Sequence, residues 1–288
     1  MTSPFHHIPH TLHRLLSGAA TTATGLRSLC CCATAAIILA ACSGIAEEDR
    51  LIYVKQPDAQ RAVLIEDFTG QRCINCPNAA AKIEQLKEEY GADKIIAVGI
   101  HSGPLAVFSR GKILGLRTQE GDEYYERWSI QEEPTGYINR SGDISTIDKW
   151  DKLVREAVQK STPVTIDAVA VMDTETRAMQ LQIQASSNLA MNAKLQLWIT
   201  ESDIVAQQMM PDGSQNPNYV HNHVFRASVN GTWGTDINMP EGDLIVKEFD
   251  YQVPEEWNAD NLNLVAFIYD NSGVLQVCEA PVHQTKQE

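Results

Sequence analysis

The chain is 288 residues long and carries 23 Lys and Arg against 37 Asp and Glu, a formal net charge of −14. That acidity repels polyanions and anionic lipid surfaces, so it argues against a nucleic-acid partner and leaves any membrane contact to apolar or acyl groups. The length accommodates two modest domains.

Residues 1–41 contain no Asp or Glu, carry Arg14 and Arg27, and end in the apolar segment Leu29 to Ala41. That segment is short for a membrane span and ends in small residues, so it reads as a cleaved signal peptide. The sequence Leu39-Ala40-Ala41-Cys42-Ser43-Gly44 resembles the lipobox of bacterial lipoproteins. The resemblance implies a mature chain of residues 42–288 held to the membrane through lipid on Cys42. Ser43 is not the Asp that signals inner-membrane retention in such proteins, so the implied location is the outer membrane. Glu47-Glu48-Asp49 reads equally as a surface-export tag and as part of a solvated linker over 42–60, so the periplasmic and cell-surface faces both stay open.

Cys30, Cys31 and Cys32 fall in the discarded segment and Cys42 is taken by lipid, so the mature thiols are Cys73, Cys76 and Cys278. In an oxidising compartment, one vicinal pair plus a lone Cys is not a disulfide-stapled scaffold; it is a single candidate redox pair. Cys278, within a terminal strand pattern, reads as a small buried residue.

From Ala62 to Lys160 the pattern alternates strand and helix. Ala62–Phe68 is a predicted strand. Pro77–Tyr90 is a predicted helix with Ala80, Ile83, Leu86 and Tyr90 on one face and Gly91 as its stop. Lys94–Ile100 reads as a strand buried on both faces, His101–Gly115 as a long loop, Asp122–Trp128 as a short helix, Thr135–Asn139 as a strand and Ile147–Lys160 as an amphipathic helix. The C-x-x-C of Cys73-Ile74-Asn75-Cys76 thus falls at a strand-to-helix turn. There, unsatisfied backbone N–H groups and Arg72 favour the thiolate.

These residues resemble a thioredoxin-like domain over about Ala62 to Lys160. The resemblance implies roles: Asp67, six residues before Cys73, as the buried carboxylate that assists proton transfer from the resolving thiol Cys76, and Pro134 as a cis-proline that holds the substrate backbone. A one-residue register slip would make Glu66 the inward carboxylate instead. The chain departs from the pattern at Arg72, which replaces a Trp, and at Ile74-Asn75, which replaces Gly-Pro. His101, at the end of the second parallel strand, is a candidate modulator of the pair or a loop cap.

Residues 161–288 alternate apolar and polar over about seven runs: Val164–Met172, Met179–Ala185, Leu195–Ile199, Val220–Val229, Ile245–Val253, Leu262–Tyr269 and Val274–Cys278. This predicts an antiparallel, immunoglobulin-like β-sandwich. The expected fold class is therefore an α/β thioredoxin-like domain at 61–160 followed by an all-β immunoglobulin-like sandwich at 161–288. His221 and His223, two apart on a predicted strand, would share a face; two imidazoles alone do not make a metal site, and they are weak candidates only. No cofactor is expected.

Glu66-Asp67-Phe68-Thr69-Gly70, Val98-Gly99-Ile100-His101, Tyr219 to Val224 and Gly231-Thr232-Trp233-Gly234 also look like the twenty-eight-kilodalton outer-membrane protein family of surface lipoproteins. That resemblance implies location rather than chemistry. Two principal readings compete. One is a thiol–disulfide oxidoreductase acting through Cys73, Cys76, Asp67 and Pro134 on disulfide-containing envelope proteins. The other is a surface binding or adhesion lipoprotein in which the pair is a static staple. A metal-delivery role using the thiols with His101 or with His221 and His223 is a third, least supported.

Overall fold

A computed structural model of the chain describes residues 58–285. The expected signal peptide, the lipidation of Cys42 and most of the expected linker lie outside the described residues. In chain order the elements are β1 (Ala59–Gln60), β2 (Val63–Thr69), α1 (Cys76–Tyr90), β3 (Ile95–His101), α2 (Gln119–Arg127), β4 (Thr135–Ile138) and, after a 3-10 turn at Ile147–Lys149, α3 (Trp150–Val158). Strands then dominate: β5 (Ser161–Thr162), β6 (Val164–Asp173), β7 (Ala178–Ser187), β8 (Met191–Glu201), β9 (Ile204–Met209), β10 (Gln215–His221), β11 (Val224–Ser228), β12 (Thr235–Met239), β13 (Ile245–Gln252), β14 (Leu262–Asp270) and β15 (Gly273–Thr285).

One 11-stranded mixed sheet runs β13-β7-β6-β15-β14-β8-β11-β3-β2-β4, with β12 alongside β8; β1/β5 and β9/β10 form separate two-stranded ribbons. The long β15 joins the two parts of this sheet. Its first stretch pairs antiparallel with β14, from Gly273 opposite Asp270 to Pro281 opposite Asn263, and its last residues pair parallel with β6, Val282 opposite Ala170.

Three large packed cores follow from the side-chain alternation of these strands, beside a small cluster of Leu116, Ile204 and Val224. Leu181 and Ile183 of β7, Ile166 of β6, Leu195 and Leu197 of β8 and Leu264 and Ile268 of β14 share the first, so the β6/β7 and β8/β14 parts of the sheet face each other across it. The other faces of β8 and β14 bring Trp198 and Phe267 against Leu64, Phe68, Ile96 and Val98 of β2 and β3 and Tyr124 of α2. The third core is the helix side of β2 and β3, where Val63, Ile65 and Ile95 meet Ala79, Ile83 and Leu86 of α1 and Trp150 and Val154 of α3. Strand β2 is covered on both faces, and all seven of its residues are buried, including Glu66 and Asp67.

The local expectations at α1 hold: Pro77 lies in the first turn, and Gly91 closes the helix at φ 101°, its N–H donating to the Lys87 carbonyl at 2.9 Å. The expected fold class does not hold. Among the described residues there is neither a free-standing thioredoxin-like α/β domain nor a separate immunoglobulin-like sandwich. The chain is mostly β, and β11, from the half expected to be a sandwich, pairs with β3 through Val224 opposite Gly99 and with β8 on its other edge, making the sheet continuous. The described residues accordingly lie in one compact unit. The physical reason is that both faces of β2 and β3 are apolar, and the second face is covered by strands and aromatic side chains of the later sequence rather than by a further helical layer.

Candidate functional site

Strand β2 runs out at Thr69 into a tight turn whose backbone closes with Cys73 N–H donating to the Gly70 carbonyl at 3.0 Å. A side chain at position 70 has no room, since a Cβ there would lie 2.5 Å from the Leu105 carbonyl carbon. Arg72 N–H donates to Leu105 O at 2.9 Å. The buried Gln71 side chain adds two more ties to the same segment, its Nε2 donating to Leu114 O at 3.0 Å and its Oε1 accepting from Leu116 N–H at 2.9 Å. The stretch expected as a loop folds back on itself here: Arg110 and Ile113 exchange two backbone hydrogen bonds of 3.0 Å across Gly111-Lys112, and Arg117 N–H donates to Val107 O at 3.0 Å.

On the other side of the Cys turn lies the β9/β10 ribbon. Gln208 of β9 is buried, and its Nε2 donates to Cys73 O at 2.8 Å and Gly70 O at 3.3 Å, while Met209 N–H donates to Gln71 O at 2.9 Å. Cys73 and Cys76 form a disulfide with Cα atoms 5.4 Å apart. Only Cys76 belongs to α1; Cys73 sits in the preceding turn. Both are nearly withdrawn from solvent, at 2% and 3% exposure, whereas Arg72 and Ile74 beside them are exposed.

Cys76 lines a cavity of about 270 Å³ with Asp67, His101, His221 and His223. Asp67 points from β2 toward the α1 side, its Oδ1 has no hydrogen-bond partner, and burial, reinforced by the Glu133 carboxylate, pushes its carboxyl up to about 8. Glu133 is itself raised to about 7, chiefly by burial. At neutral pH Asp67 therefore carries its proton. His101 is buried at the end of β3 with its ring 5.2 Å from that of His221, edge to face, and burial holds it well below the ordinary histidine range. Burial likewise lowers His221 to about 4. His101 Nδ1 and His221 Nε2 are both buried without partners.

The chain breaks between the two histidines expected to share a strand face. β10 ends at His221, β11 starts at Val224, and His223 has φ 54°. His223 accordingly turns toward α1, where Lys87 Nζ donates to its Nε2 at 2.6 Å and Glu84 Oε1 lies 3.5 Å away; burial and the Lys87 charge lower it to about 4. Among the described residues no group of three or more His, Cys, Asp or Glu is arranged to hold a metal ion.

Pro134 is buried, and the Glu133–Pro134 peptide is cis. The next residue, Thr135, pairs with Phe68, so Pro134 stands at the end of the sheet where β2 gives way to the Cys turn. Glu66 points to the opposite side from Asp67. It holds Arg140 through Nε and Nη2 at 2.9–3.1 Å, and the guanidinium lies 4.8–5.7 Å from the ring centres of Tyr124, Trp128, Trp198, Phe267 and Tyr269. Cys278 is half-buried and its thiol is pushed up to about 12, mainly by burial. The site thus gathers Cys73, Cys76, Asp67, Pro134, His101 and His221 at one end of the β2/β3 sheet. Sequence reasoning missed Gln71 and Gln208, because a buried amide that fastens a distant turn leaves no local pattern.

The Outer membrane protein Omp28 family matches residues 121–286. The chain belongs to the Omp28 family. Its location, as for that family, is the outer membrane, and among the described residues no helix is long and apolar enough to cross one. Among solved structures, HBP35 of Porphyromonas gingivalis is similar in fold, with a TM-score of 0.63 and 14% identity over 81% of this chain and 80% of that one. That likeness spans both halves of the sequence, as the continuous sheet does. A domain of the outer membrane lipoprotein Omp28 from Porphyromonas gingivalis aligns with a TM-score of 0.32 and 21% identity over 43% of this chain and 99% of that domain. No curated protein matches the chain.

Proposed function

We propose that this Omp28-family protein is an outer-membrane lipoprotein, tethered through Cys42, whose Cys73–Cys76 pair undergoes thiol–disulfide exchange with envelope proteins. The observation that carries the reading is the protonated, unpartnered Asp67 carboxyl lining the same cavity as Cys76. A substrate thiolate attacks Cys73 Sγ, the Cys73–Cys76 bond breaks, and the departing Cys76 sulfur takes the proton of Asp67. A second substrate thiolate then attacks its partner sulfur in the mixed disulfide and releases Cys73 as thiolate. Two electrons pass from a substrate dithiol to the protein, and the reverse sequence, with Asp67 as base, reduces a substrate disulfide. Cys73 is assigned as the sulfur attacked because its neighbours Arg72 and Ile74 are exposed, whereas Cys76 lines the cavity with its proton donor Asp67. Pro134, next to the end of β2, is assigned to hold the substrate backbone, and Arg72 to stabilise the Cys73 thiolate.

Turnover of a dithiol peptide or of insulin disulfide tests this. Asp67→Asn is expected to slow exchange about tenfold or more near pH 7, within the range of general acid–base contributions, and to flatten the pH–rate profile around 8. A redox potential far below that of glutathione with no turnover would sink the reading. Loss of membrane partitioning in Cys42→Ser tests the tether.

The near-complete burial of both cysteines supports a second reading, a binding lipoprotein in which the pair is a static staple. A disulfide that resists a glutathione buffer while Cys73→Ser/Cys76→Ser lowers the melting temperature would favour it.

A further inference from the structure

The segment from Phe108 to Leu114 is exposed at every residue. It presents Phe108, Ile113 and Leu114, each 45–52% exposed, and the Cys turn adds Ile74 at 45%. Such apolar groups crowded beside one site are the pattern of a binding surface rather than of scattered surface residues. The hairpin is held in place. Gln71 ties it to the Cys turn at Leu114 and Leu116, Ser109 Oγ bonds Gly115 at 3.0–3.1 Å, and the Arg117 guanidinium lies 4.8 Å from the Phe108 ring centre.

Its charge runs against that of the whole chain. From Thr69 to Asn75 and from Ser102 to Arg117 there is no carboxylate, while Arg72, Arg110, Lys112 and Arg117 are cations, in a protein of net charge −14. Arg117 is paired with Asp122 at 2.9 Å; Arg110 and Lys112 enter no ion pair among the described residues. A cationic tip interleaved with apolar side chains is complementary to an extended polypeptide that alternates acidic and apolar residues. Its acids would meet Arg110 and Lys112, and its apolar groups would cover Ile74, Phe108, Ile113 and Leu114.

We propose that the hairpin around Arg110–Ile113, together with Ile74, is a docking surface for extended acidic, apolar-rich polypeptide segments. Docking there lays the bound chain beside Cys73. Chemistry on the docked chain rests on the proposed thiol–disulfide exchange; the docking itself does not.

The test uses the full chain in detergent and three cysteine-free peptides alternating Leu/Glu, Leu/Lys and Ser/Glu, with binding read by fluorescence anisotropy. The Leu/Glu peptide is expected to bind about tenfold or more tightly than either of the others, with an affinity that falls as salt rises. The surface double variant Arg110→Glu/Lys112→Glu is expected to reverse the order of the Leu/Glu and Leu/Lys peptides without changing the circular dichroism spectrum. Phe108→Ser, or Ile113→Ser should the former unfold, is expected to weaken Leu/Glu binding severalfold. Equal affinity for all three peptides, or Leu/Glu binding unchanged in the double variant, overturns the proposal. So does self-association of the wild type that the double variant abolishes, since the occupant is then a second copy. A Leu/Glu peptide carrying a cystine separates the two readings: binding without exchange overturns exchange alone, and exchange at an unchanged rate in the double variant overturns the surface alone.

Discussion

Glu66 and Asp67 are neighbours on one buried strand, and they meet burial in opposite ways. Glu66 stays paired with Arg140 inside a ring of aromatic side chains, while Asp67, on the other face, stays protonated. In the unfolded chain Asp67 titrates near the ordinary value of about 4, whereas in the folded protein it keeps its proton up to about 8. The folded state thus binds the extra proton between those values, so stability falls as the pH rises through that window, and below about 4 the effect is absent. Asp67→Asn should be more stable than wild type by about 2–4 kcal/mol at about pH 8 and indistinguishable at about pH 3.5. Guanidinium unfolding at the two pH values checks this, and a gap independent of pH would refute it. Glu66→Gln leaves the Arg140 charge buried and unpaired and should cost about 3–5 kcal/mol, whereas Glu66→Leu with Arg140→Met should cost less than half as much. A buried carboxylate at Glu66 or Asp67 was expected only through the thioredoxin-like resemblance. That both are buried was not legible, because the burial of Glu66 depends on aromatic residues scattered from Tyr124 to Tyr269.

At the scale of elements, the Cys turn is clamped between two hairpins, and each clamp can be loosened separately. Gln208→Ala removes the donor to Cys73 O and leaves that buried carbonyl short of a partner, while Gly70 O keeps only the Cys73 N–H. A loss of about 1–3 kcal/mol is expected, with faster reduction of the disulfide by dithiothreitol measured by thiol release. Gly70→Ala pushes the turn away from Leu105 and should give the same acceleration with a larger loss. If reduction is no faster in either variant, the ribbon and the hairpin do not gate the sulfurs. Strand and helix types up to α3 were readable from apolar period and from Pro77 and Gly91. The His221/His223 pair misled because a positive φ at His223 ends the strand, and nothing in the sequence around it requires that break.

For the whole molecule, the continuous sheet predicts one cooperative unfolding transition. A fragment of residues 161–288 loses the β3 edge of β11 and exposes Trp198 and Phe225, which pack against Tyr124 in the full chain. It is expected to show molten-globule behaviour, with dye binding and no sharp thermal transition; a sharp transition would refute this. The sequence divided into two textures, α/β then all-β, and composition has no way to report that strands of one texture pair with strands of the other. Such pairing is long-range and is settled by which apolar faces remain uncovered. The position of β15 has a further consequence for biogenesis. The last strand of the described residues, β15, lies in the interior of the sheet, between β6 and β14, and carries Val274 and Val277 into the second core and Val282 into the first. Until β15 has been delivered, the chain lacks the strand that closes both parts of the sheet. A protein bound for the outer membrane is thereby kept from completing this sheet before β15 itself has crossed the inner one.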